Sequence, residues 1–366
     1  MAPTKPVAFV PLVLRIRRAL PLVAWTADED PPTASASVPK ESKNIAVKEP
    51  TKAATETSAS LSKPARRPAV KPKTMVKKAV ETEMALLDGG VWVVGDELDG
   101  LKDAVPHPVK LSPFWIARRE VTLELWDRVV NWAHEHGYVD LPPGAAKALD
   151  HPVYAVSWLE AVMWCNARSE MEGLTPCYYE DAQQKKVFRT GILNLSNRCV
   201  NWEAKGYRLP TEAEWEVAAR GRLKGKRFPW GDEITHENAN YSSRAAGPFD
   251  KSKDRGPPPA FLGSLPHTAP TGSFRPNRFG LYDMSGNVSE WCWDVYDRSY
   301  GIPKLASGGA KPPTVSDPRG PVSGISRVVR GGSWRHDAGD ARCASRFDLP
   351  AMTPFPHVGF RVVRRR

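Results

Sequence analysis

The chain has 366 residues, 41% of them hydrophobic and 13 of them tryptophan, so it can bury one large core or two ordinary ones. The formal net charge is +11, but Lys and Arg outnumber Asp and Glu by 15 to 6 within residues 1–80 and by only 37 to 35 beyond them. A basic face for specific nucleic-acid binding is therefore not expected on the rest of the chain.

The N-terminal residues do not predict a membrane span. Residues 1–26 contain the apolar runs VAFVPLVL and ALPLVAW, separated by RIRR, and both are far shorter than the roughly 18 residues that a span requires. We interpret 1–26 as a short export signal or a basic and apolar N-terminus, which slightly favours a periplasmic or secreted protein over a cytoplasmic one. Residues 27–83 are rich in Ala, Lys, Pro, Ser and Thr, and this composition predicts a disordered linker.

A folded domain is predicted over residues 84–366. It opens with MALLDGGVWVVGDE (84–97), where apolar and turn residues alternate as in a strand pair. The next segment, KLSPFWIARREV (110–121), is typical of another strand.

Three short helices follow in the predicted domain. The first begins at Thr122, ahead of apolar residues that recur on one face. The second and third each open with a capping box, formed by Ser157 with Glu160 and by Thr211 with Glu214.

Beyond residue 222 the sequence consists of Gly-, Pro-, Asn- and Asp-rich loops with short strands between them, such as VVRGGSW (328–334) and HVGFRVVR (357–364). The pattern predicts an α+β domain that is loop-rich, with a small antiparallel sheet and short helices. The five cysteines form no C-x-x-C pair, so we expect buried small hydrophobic residues and no structural zinc site. They are Cys165, Cys177, Cys199, Cys292 and Cys343.

Seven motifs occur in order along the domain: EVTLELW (120–126), HPVYAVSW (151–158), YRLPTEAEWEVAARG (207–221), PWGD (229–232), FGLYDMSGNVSEW (279–291), RVVRGGSW (327–334) and GFRVVR (359–364). Together they resemble the formylglycine-generating enzyme (sulfatase-modifying factor) family. The resemblance implies a fold related to C-type lectins, often with bound calcium. It also implies that some relatives act on sulfatases: they oxidise a cysteine of the sulfatase to formylglycine, using copper and molecular oxygen.

The copper chemistry of that family is not expected in this chain. The resemblance places the two copper-binding thiols three and eight residues after Ser333, where this sequence has His336 and Ala341. Copper(I) requires soft thiolate ligands, and Cys343 is two positions out of place. We therefore predict no copper site, and only a weak case for iron at His336.

A binding surface is predicted from the end of the motif RVVRGGSW and the residues that follow it. Its members are Ser333, Trp334, His336 and Arg346. Ser333, His336 and Cys343 are the candidates for any catalytic role. Arg346 and Arg361 are also expected to pair with carboxylates or carbonyls and to brace the loops.

Calcium is the ion that the resemblance implies. The predicted site comprises Asp283, the carbonyls of Gly286 and Val288, and Glu290. Asn240 and the Tyr241 carbonyl match part of a second site, for which Asp250 or Asp254 would have to supply the missing carboxylate.

Two hypotheses for function follow from these residues. The first is a calcium-stabilised binding or maturation protein without catalytic thiols, whose partner is a peptide, a glycan or an envelope enzyme such as a sulfatase. The alternative is a metal-dependent oxidase of the same family that uses His336 in place of cysteines, with iron or copper.

Overall fold

The computed structural model describes residues 83–245, 247–299 and 313–366, so the expectations for residues 1–82 lie outside the described part. The helices are α1 (Leu123–His134), α2 (Trp158–Met171) and α3 (Glu212–Arg220), with single 3-10 turns at Leu98–Gly100, Asn197–Cys199 and Pro259–Phe261. The strands are β1 (Met84–Leu87), β2 (Gly90–Val94), β3 (His107–Leu111), β4 (Phe114–Ala117), β5 (Tyr207–Arg208), β6 (Ser289–Val295), β7 (Val315–Ser316), β8 (Ser326–Arg330), β9 (Arg346–Pro350), β10 (Val358–Gly359) and β11 (Val363–Arg365). No helix in these ranges is long and apolar enough to cross a membrane.

The three predicted helices are confirmed, and each begins at the predicted cap. The Thr122 side chain accepts a hydrogen bond from the Leu125 amide. Both capping boxes form. The side chains of Ser157 and Thr211 each accept a hydrogen bond from the amide three residues later, and their own backbone amides donate to the carboxylate of that later residue. These caps satisfy amide groups that the first helical turn leaves unpaired.

The main core lies between α1 and α2. The apolar face of α1 is buried, as its spacing predicts, and α2 is buried along most of its length. Trp126 of α1 stacks on Trp164 of α2 with ring centroids 6.0 Å apart, and Phe360 meets both rings edge-on. Aromatic pairs of this geometry stabilise the helix pair beyond simple area burial.

The strands form three small sheets, each of three or four strands. Their orders are β1-β4-β11-β5, β10-β6-β8-β9 and β2-β3-β7. Most pairs are antiparallel, while β10–β6 and β3–β7 are parallel. The loop-rich α+β architecture is therefore confirmed, with the predicted small sheet divided into three.

The prediction that residues 84–97 form a strand pair is wrong in its pairing. Both strands exist, but β1 pairs with β4 and β2 pairs with β3. The chain passes from one sheet to the next at Gly89, where a Cβ atom would lie 2.9 Å from the Leu111 carbonyl oxygen. A side chain larger than that of glycine would not fit at this change of sheet.

A buried ion pair joins the C-terminal segment to β6. Arg361 and Glu290 are almost completely buried, and the guanidinium donates to both carboxylate oxygens at 2.6 Å. Arg361 also donates to the carbonyls of Ala117 and Tyr282, at 3.2 and 2.9 Å. The predicted pairing of Arg361 is thus confirmed, and it braces three separate segments.

We predict that Arg361→Gln lowers the free energy of unfolding by about 3–5 kcal/mol, because it leaves the buried carboxyl groups of Glu290, Glu120 and Asp283 without the cation they share. Arg361 lowers the pKa values of Glu120 and Asp283 against the effect of burial, so without it both would rise further; the folded variant would then bind extra protons and recover stability as the pH falls. Urea denaturation near neutral pH and at about pH 5 measures both effects.

The matched control is Glu203→Gln, which breaks the exposed pair between Arg365 and Glu203. Its expected cost is below about 1 kcal/mol, since solvent screens such pairs. An equal loss in the two variants would contradict a central role for Arg361.

Candidate functional site

The predicted site lies where the chain leaves β8. Gly331 and Gly332 follow the strand with φ of +90° and +66°, in the left-handed region that favours glycine. A Cβ atom on Gly332 would lie 3.0 Å from the Cα of Ala341, so the turn packs tightly against the next loop. This turn directs Ser333 and Trp334 into the interior, where both are buried.

Arg330 holds the loop that faces this turn. Its buried guanidinium donates to Glu216 at 2.6 Å and to the carbonyls of Cys343 and Ser345 at 2.7 and 2.9 Å. Because all these groups are removed from solvent, the charged hydrogen bonds fix the end of β8 against residues 343–345.

His336 lies in an aromatic stack beside Ser333. The Ser333 hydroxyl is 2.8 Å from His336 Nδ1. The His336 ring stacks on Phe347 at 5.8 Å and meets His357 edge-on at 5.0 Å, and His357 in turn contacts Phe355. We call His336, Phe347, Phe355 and His357 the imidazole cluster; all four are partly exposed.

Both imidazoles of the cluster are neutral near pH 7. Burial, reinforced by the charge of Arg335, lowers the pKa of His336 to about 4 and outweighs the opposing effect of Asp337. Burial, with His336 and Arg335 beside it, lowers the pKa of His357 to about 3. The cluster therefore presents hydrogen-bonding groups without a formal charge of its own.

Three polar atoms near this site are buried without a hydrogen-bond partner among the described residues: Trp334 Nε1, His357 Nδ1 and His267 Nδ1. His267 meets Trp334 edge-on, with ring centroids 5.5 Å apart. Buried polar groups are normally satisfied, so these atoms are positioned to bind water or a ligand. Sequence reasoning missed His267 as a site residue, because nothing near it in the sequence signals its contact with Trp334.

The thiol chemistry of the family is not assembled here. Ala341 and Cys343 are fully buried, and burial raises the pKa of the Cys343 thiol to about 12. All five cysteines are free and buried, which confirms the interpretation as small hydrophobic residues. Within the described ranges no group of three or more His, Cys, Asp or Glu side chains is close enough to hold a metal ion. The residues present do not fit copper.

Arg346 does not join the predicted binding surface. Its guanidinium donates to both oxygens of Glu212 at 2.6 and 2.8 Å and to the Asp103 carbonyl at 2.9 Å. Successive residues of a strand face opposite sides, and Phe347, the next residue of β9, contacts His336. The structure therefore groups Ser333, Trp334 and His336 and places Arg346 elsewhere, in the bracing role that was also predicted.

The predicted calcium loop carries one carboxylate that is engaged and one that is partly free. Both Glu290 oxygens accept from Arg361, and one also accepts from Trp215 Nε1. Glu290 as a calcium ligand stays a prediction, and in this structure both of its oxygens are engaged by the Arg361 guanidinium. One oxygen of Asp283 accepts from the Gly272 amide, whereas Oδ1 is buried without a partner in the described structure.

The backbone of this loop approaches Asn240 closely. Gly286 has a φ of +80°, and a Cβ atom there would lie 2.2 Å from the Asn240 carbonyl oxygen. The Val288 amide donates to Glu120, while Asn240 Oδ1 is buried and has no partner among the described residues. The Tyr241 hydroxyl donates to Asp250.

Asp250, one of the two carboxylates considered for the second calcium site, is engaged in hydrogen bonds in this structure. Besides the Tyr241 hydroxyl, its carboxylate accepts from the Ser243 hydroxyl at 2.6 Å and from the Ser252 amide at 3.0 Å. These three donors, each to an ionised carboxylate, lower its pKa against the effect of burial.

Sequence and fold are both similar to those of known proteins. The family profile described as a sulfatase-modifying factor enzyme 1-like domain matches residues 70–366. The formylglycine-generating enzyme of Streptomyces coelicolor is 34% identical over 75% of this chain and 87% of its own length. Chaperone protein LppX of Paenibacillus barcinonensis is 31% identical over 78% and 91%. The solved structure of Treponema denticola variable protein 1 superposes with a TM-score of 0.57 at 27% identity, covering 77% of this chain and 95% of that one.

We predict that stability falls on acidification between about pH 6.5 and about pH 4 because of the two imidazoles. The unfolded chain gains protons on both histidines as the pH falls through 6.5, while the folded cluster stays neutral until far lower pH. Denaturant titrations across this window should show the loss in wild type and a flatter dependence in the double variant His336→Gln/His357→Gln.

The control for this experiment is His136→Gln, an exposed histidine that stacks on Trp132. It should keep the wild-type dependence on pH. If the double variant also keeps that dependence, the two imidazoles are not neutral in the folded state.

Proposed function

Because the chain belongs to the family of sulfatase-modifying factor enzyme 1-like domains and has its C-type-lectin-like fold, we propose that it binds a polypeptide partner as an accessory protein, without oxidising a cysteine. The observation that carries this proposal is the replacement of the copper thiols. At the two positions where the family resemblance places them, the chain has neutral His336 and fully buried Ala341.

The remaining thiol cannot substitute for the pair. Cys343 lies in a hydrophobic cluster, and its backbone amide and carbonyl are tied to Arg227 and Arg330. A thiol whose pKa is raised to about 12 supplies little thiolate near neutral pH. Two thiolates held together, which copper(I) requires, are thus absent from this site.

The exposed features of the site favour a polypeptide as the occupant. The imidazole cluster is partly exposed, and the exposed residues Met352, Thr353 and Pro354 lie in the chain between its members Phe347 and Phe355. Aromatic residues and methionine are enriched at protein interfaces, where they supply large contact areas. The unpartnered atoms of Trp334 and His357 add directional hydrogen bonds, which an extended peptide backbone can satisfy.

The relatives support an accessory role for some members of this family. One relative is named a chaperone protein and another a formylglycine-generating enzyme. Because this chain lacks the thiol pair, we place it with the first kind. The partner that we propose is a segment of an envelope enzyme such as a sulfatase; a glycan is the other occupant that the test below can reveal.

The oxidase alternative receives no support from the described residues. A non-heme metal centre at His336 needs further ligands, and Ser333 and the aromatic rings of Phe347 and His357 are its nearest identified contacts. Burial lowers the pKa of His357, and His336 and Arg335 add to that effect, so no carboxylate is identified beside His357 among the described residues. Two imidazoles alone do not hold a catalytic metal of this class.

We predict that peptides selected by the full chain from a random phage-displayed library bind at the imidazole cluster. Trp334→Phe, which removes the indole N–H, and His357→Gln should each weaken binding at least about tenfold, as expected for central interface residues. Fluorescence anisotropy of the selected peptides measures the affinities. Trp132→Phe, at a partly buried tryptophan of α1 outside the imidazole cluster, is the matched control and should bind as wild type does.

A second measurement addresses catalysis in the same preparation. The full chain with copper(I), oxygen and a cysteine peptide from a sulfatase should yield no aldehyde by mass spectrometry. Aldehyde formation would refute the proposal. Selection of no peptide, together with retention on a glycan array that depends on Trp334, would replace the polypeptide with a glycan.

We also propose that calcium stabilises the domain at a reduced site. The buried and unpartnered Oδ1 of Asp283 supports this proposal, with the carbonyls of Gly286 and Val288 as the main-chain ligands implied by the family resemblance. Glu290 takes no part, because Arg361 occupies its oxygens. Calcium accepts mixed carboxylate and carbonyl ligands, so a set without Glu290 is chemically reasonable.

We predict that calcium at about 100 times its Kd raises the free energy of unfolding by about 2.7 kcal/mol. Thermal unfolding with calcium and with a chelator measures the shift. Asp283→Asn should abolish it while keeping the hydrogen bond from Gly272. Asp88→Asn, an exposed carboxylate, is the control. No difference between calcium and chelator in wild type would reject the site.

A further inference from the structure

A cleft of about 470 Å³ lies on a different part of the surface from the imidazole cluster, none of whose residues lines it. Its walls come from the start of β1, the residues after β4, the first two turns of α1 and the loop at Tyr282. The volume falls within the range of small-molecule sites. Neither the family resemblance nor the proposed function assigns a ligand to it.

The rim of this cleft is cationic. Arg118, Arg119 and Arg128 line it, and none of the three forms an ion pair among the described residues. A fourth arginine, Arg168, is already paired with Glu83 and Glu172. The cleft therefore offers three guanidinium groups without a carboxylate within ion-pair distance.

Carboxyl groups near the cleft reduce this charge only in part. Glu124 is exposed and lies one turn before Arg128 on α1. Glu120 is buried, and its two oxygens accept hydrogen bonds from the Asn287 side chain and the Val288 amide. Asp283 interacts with Arg119 electrostatically but forms no ion pair with it in the described part of the chain. The lining contains four arginines and three glutamates, so it keeps an excess of one positive charge.

Two of the arginines are held in position. Arg118 donates to the Gly280 carbonyl at 3.2 Å, and a Cβ atom on Gly280 would lie 2.4 Å from its guanidinium. The Arg119 guanidinium lies 5.2 Å from the Tyr282 ring centroid. A Cβ atom on Gly272 would lie 2.8 Å from Arg119. Guanidinium groups that are ordered before binding lose less entropy when a ligand arrives.

The floor of the cleft is apolar, and the start of α1 adds to the favourable field. Met84, Val121, Leu125 and Val362 provide the apolar lining. Thr122, the cap of α1, also lines the cleft, so the positive end of the helix dipole points toward it. An apolar floor under a cationic rim suits a ligand with an apolar body and one anionic group.

We propose that this cleft binds an organic carboxylate with an alkyl or aryl body, with Arg119 and Arg128 contacting the carboxylate. The arginine fork matches a carboxylate geometrically and forms two parallel hydrogen bonds with it. The carboxylate can belong to a free small molecule or to the C-terminus of a peptide, and the experiment below separates these two sources. The inference goes beyond the proposed function and does not depend on it.

The test uses calorimetric titration of the full chain with octanoate and, separately, with an acetylated Leu-Leu-Phe peptide bearing a free C-terminus. The neutral comparisons are octanamide and the same peptide amidated. We expect at least one carboxylate to bind saturably. Its neutral counterpart should bind at least roughly tenfold more weakly, because charged hydrogen bonds are lost. Octanoate alone identifies a free small molecule, whereas the peptide alone identifies a C-terminus.

Arg119→Gln and Arg128→Gln should each weaken the binding of the carboxylate roughly tenfold. Thermal stability should stay near that of wild type, since both side chains are exposed. Arg222→Gln, an exposed arginine outside the cleft, is the control and should have no effect. The proposal is overturned if neither carboxylate binds saturably up to about 10 mM, a limit for weak but specific sites. It is also overturned if neutral and anionic probes bind equally or if both cleft variants bind as wild type does.

Discussion

The pair between Arg361 and Glu290 is the interaction on which the rest of the described structure depends. One guanidinium joins β6, the end of β4 and the loop at Tyr282, which have few ladder hydrogen bonds to one another. In a loop-rich fold with strands of two to seven residues, such a buried, fully hydrogen-bonded charge sets the position of segments that a larger sheet would otherwise hold. The predicted calcium loop and the cationic cleft both border it.

Arg330 has the equivalent role on the other side of β6. Its contacts with Glu216 and with the Cys343 and Ser345 carbonyls hold the loop from which β9 begins. Phe347 on β9 therefore reaches His336 at a fixed distance. The buried Arg330 thus holds one side of the imidazole cluster in place. Binding of a partner there would cost less conformational entropy than binding to a mobile loop.

Local features were predictable from the sequence, whereas contacts between distant segments were not. Caps such as Ser157 are encoded within four residues, so the helix starts were confirmed. The apolar spacing likewise identified buried faces, and the pairing of Arg361 followed from its place in a motif. The position of Arg346 away from Ser333, and the contact of His267 with Trp334, depend on which face of a strand or loop meets which neighbour. No short-range pattern in the sequence specifies that.

The two candidate sites differ in the chemistry that they select. The imidazole cluster is neutral because burial lowers the pKa of His336 and His357, so binding there must rely on apolar contact and directional hydrogen bonds. The cleft beside α1 has guanidinium groups that form no ion pair among the described residues, Arg119 and Arg128 among them, and we propose that it selects an anion. A ligand suited to one site lacks the groups that the other requires, so the two proposals together imply that an apolar polypeptide segment and a small carboxylate would not compete. In the proposed function, the polar groups that remain in place of the copper thiols serve recognition.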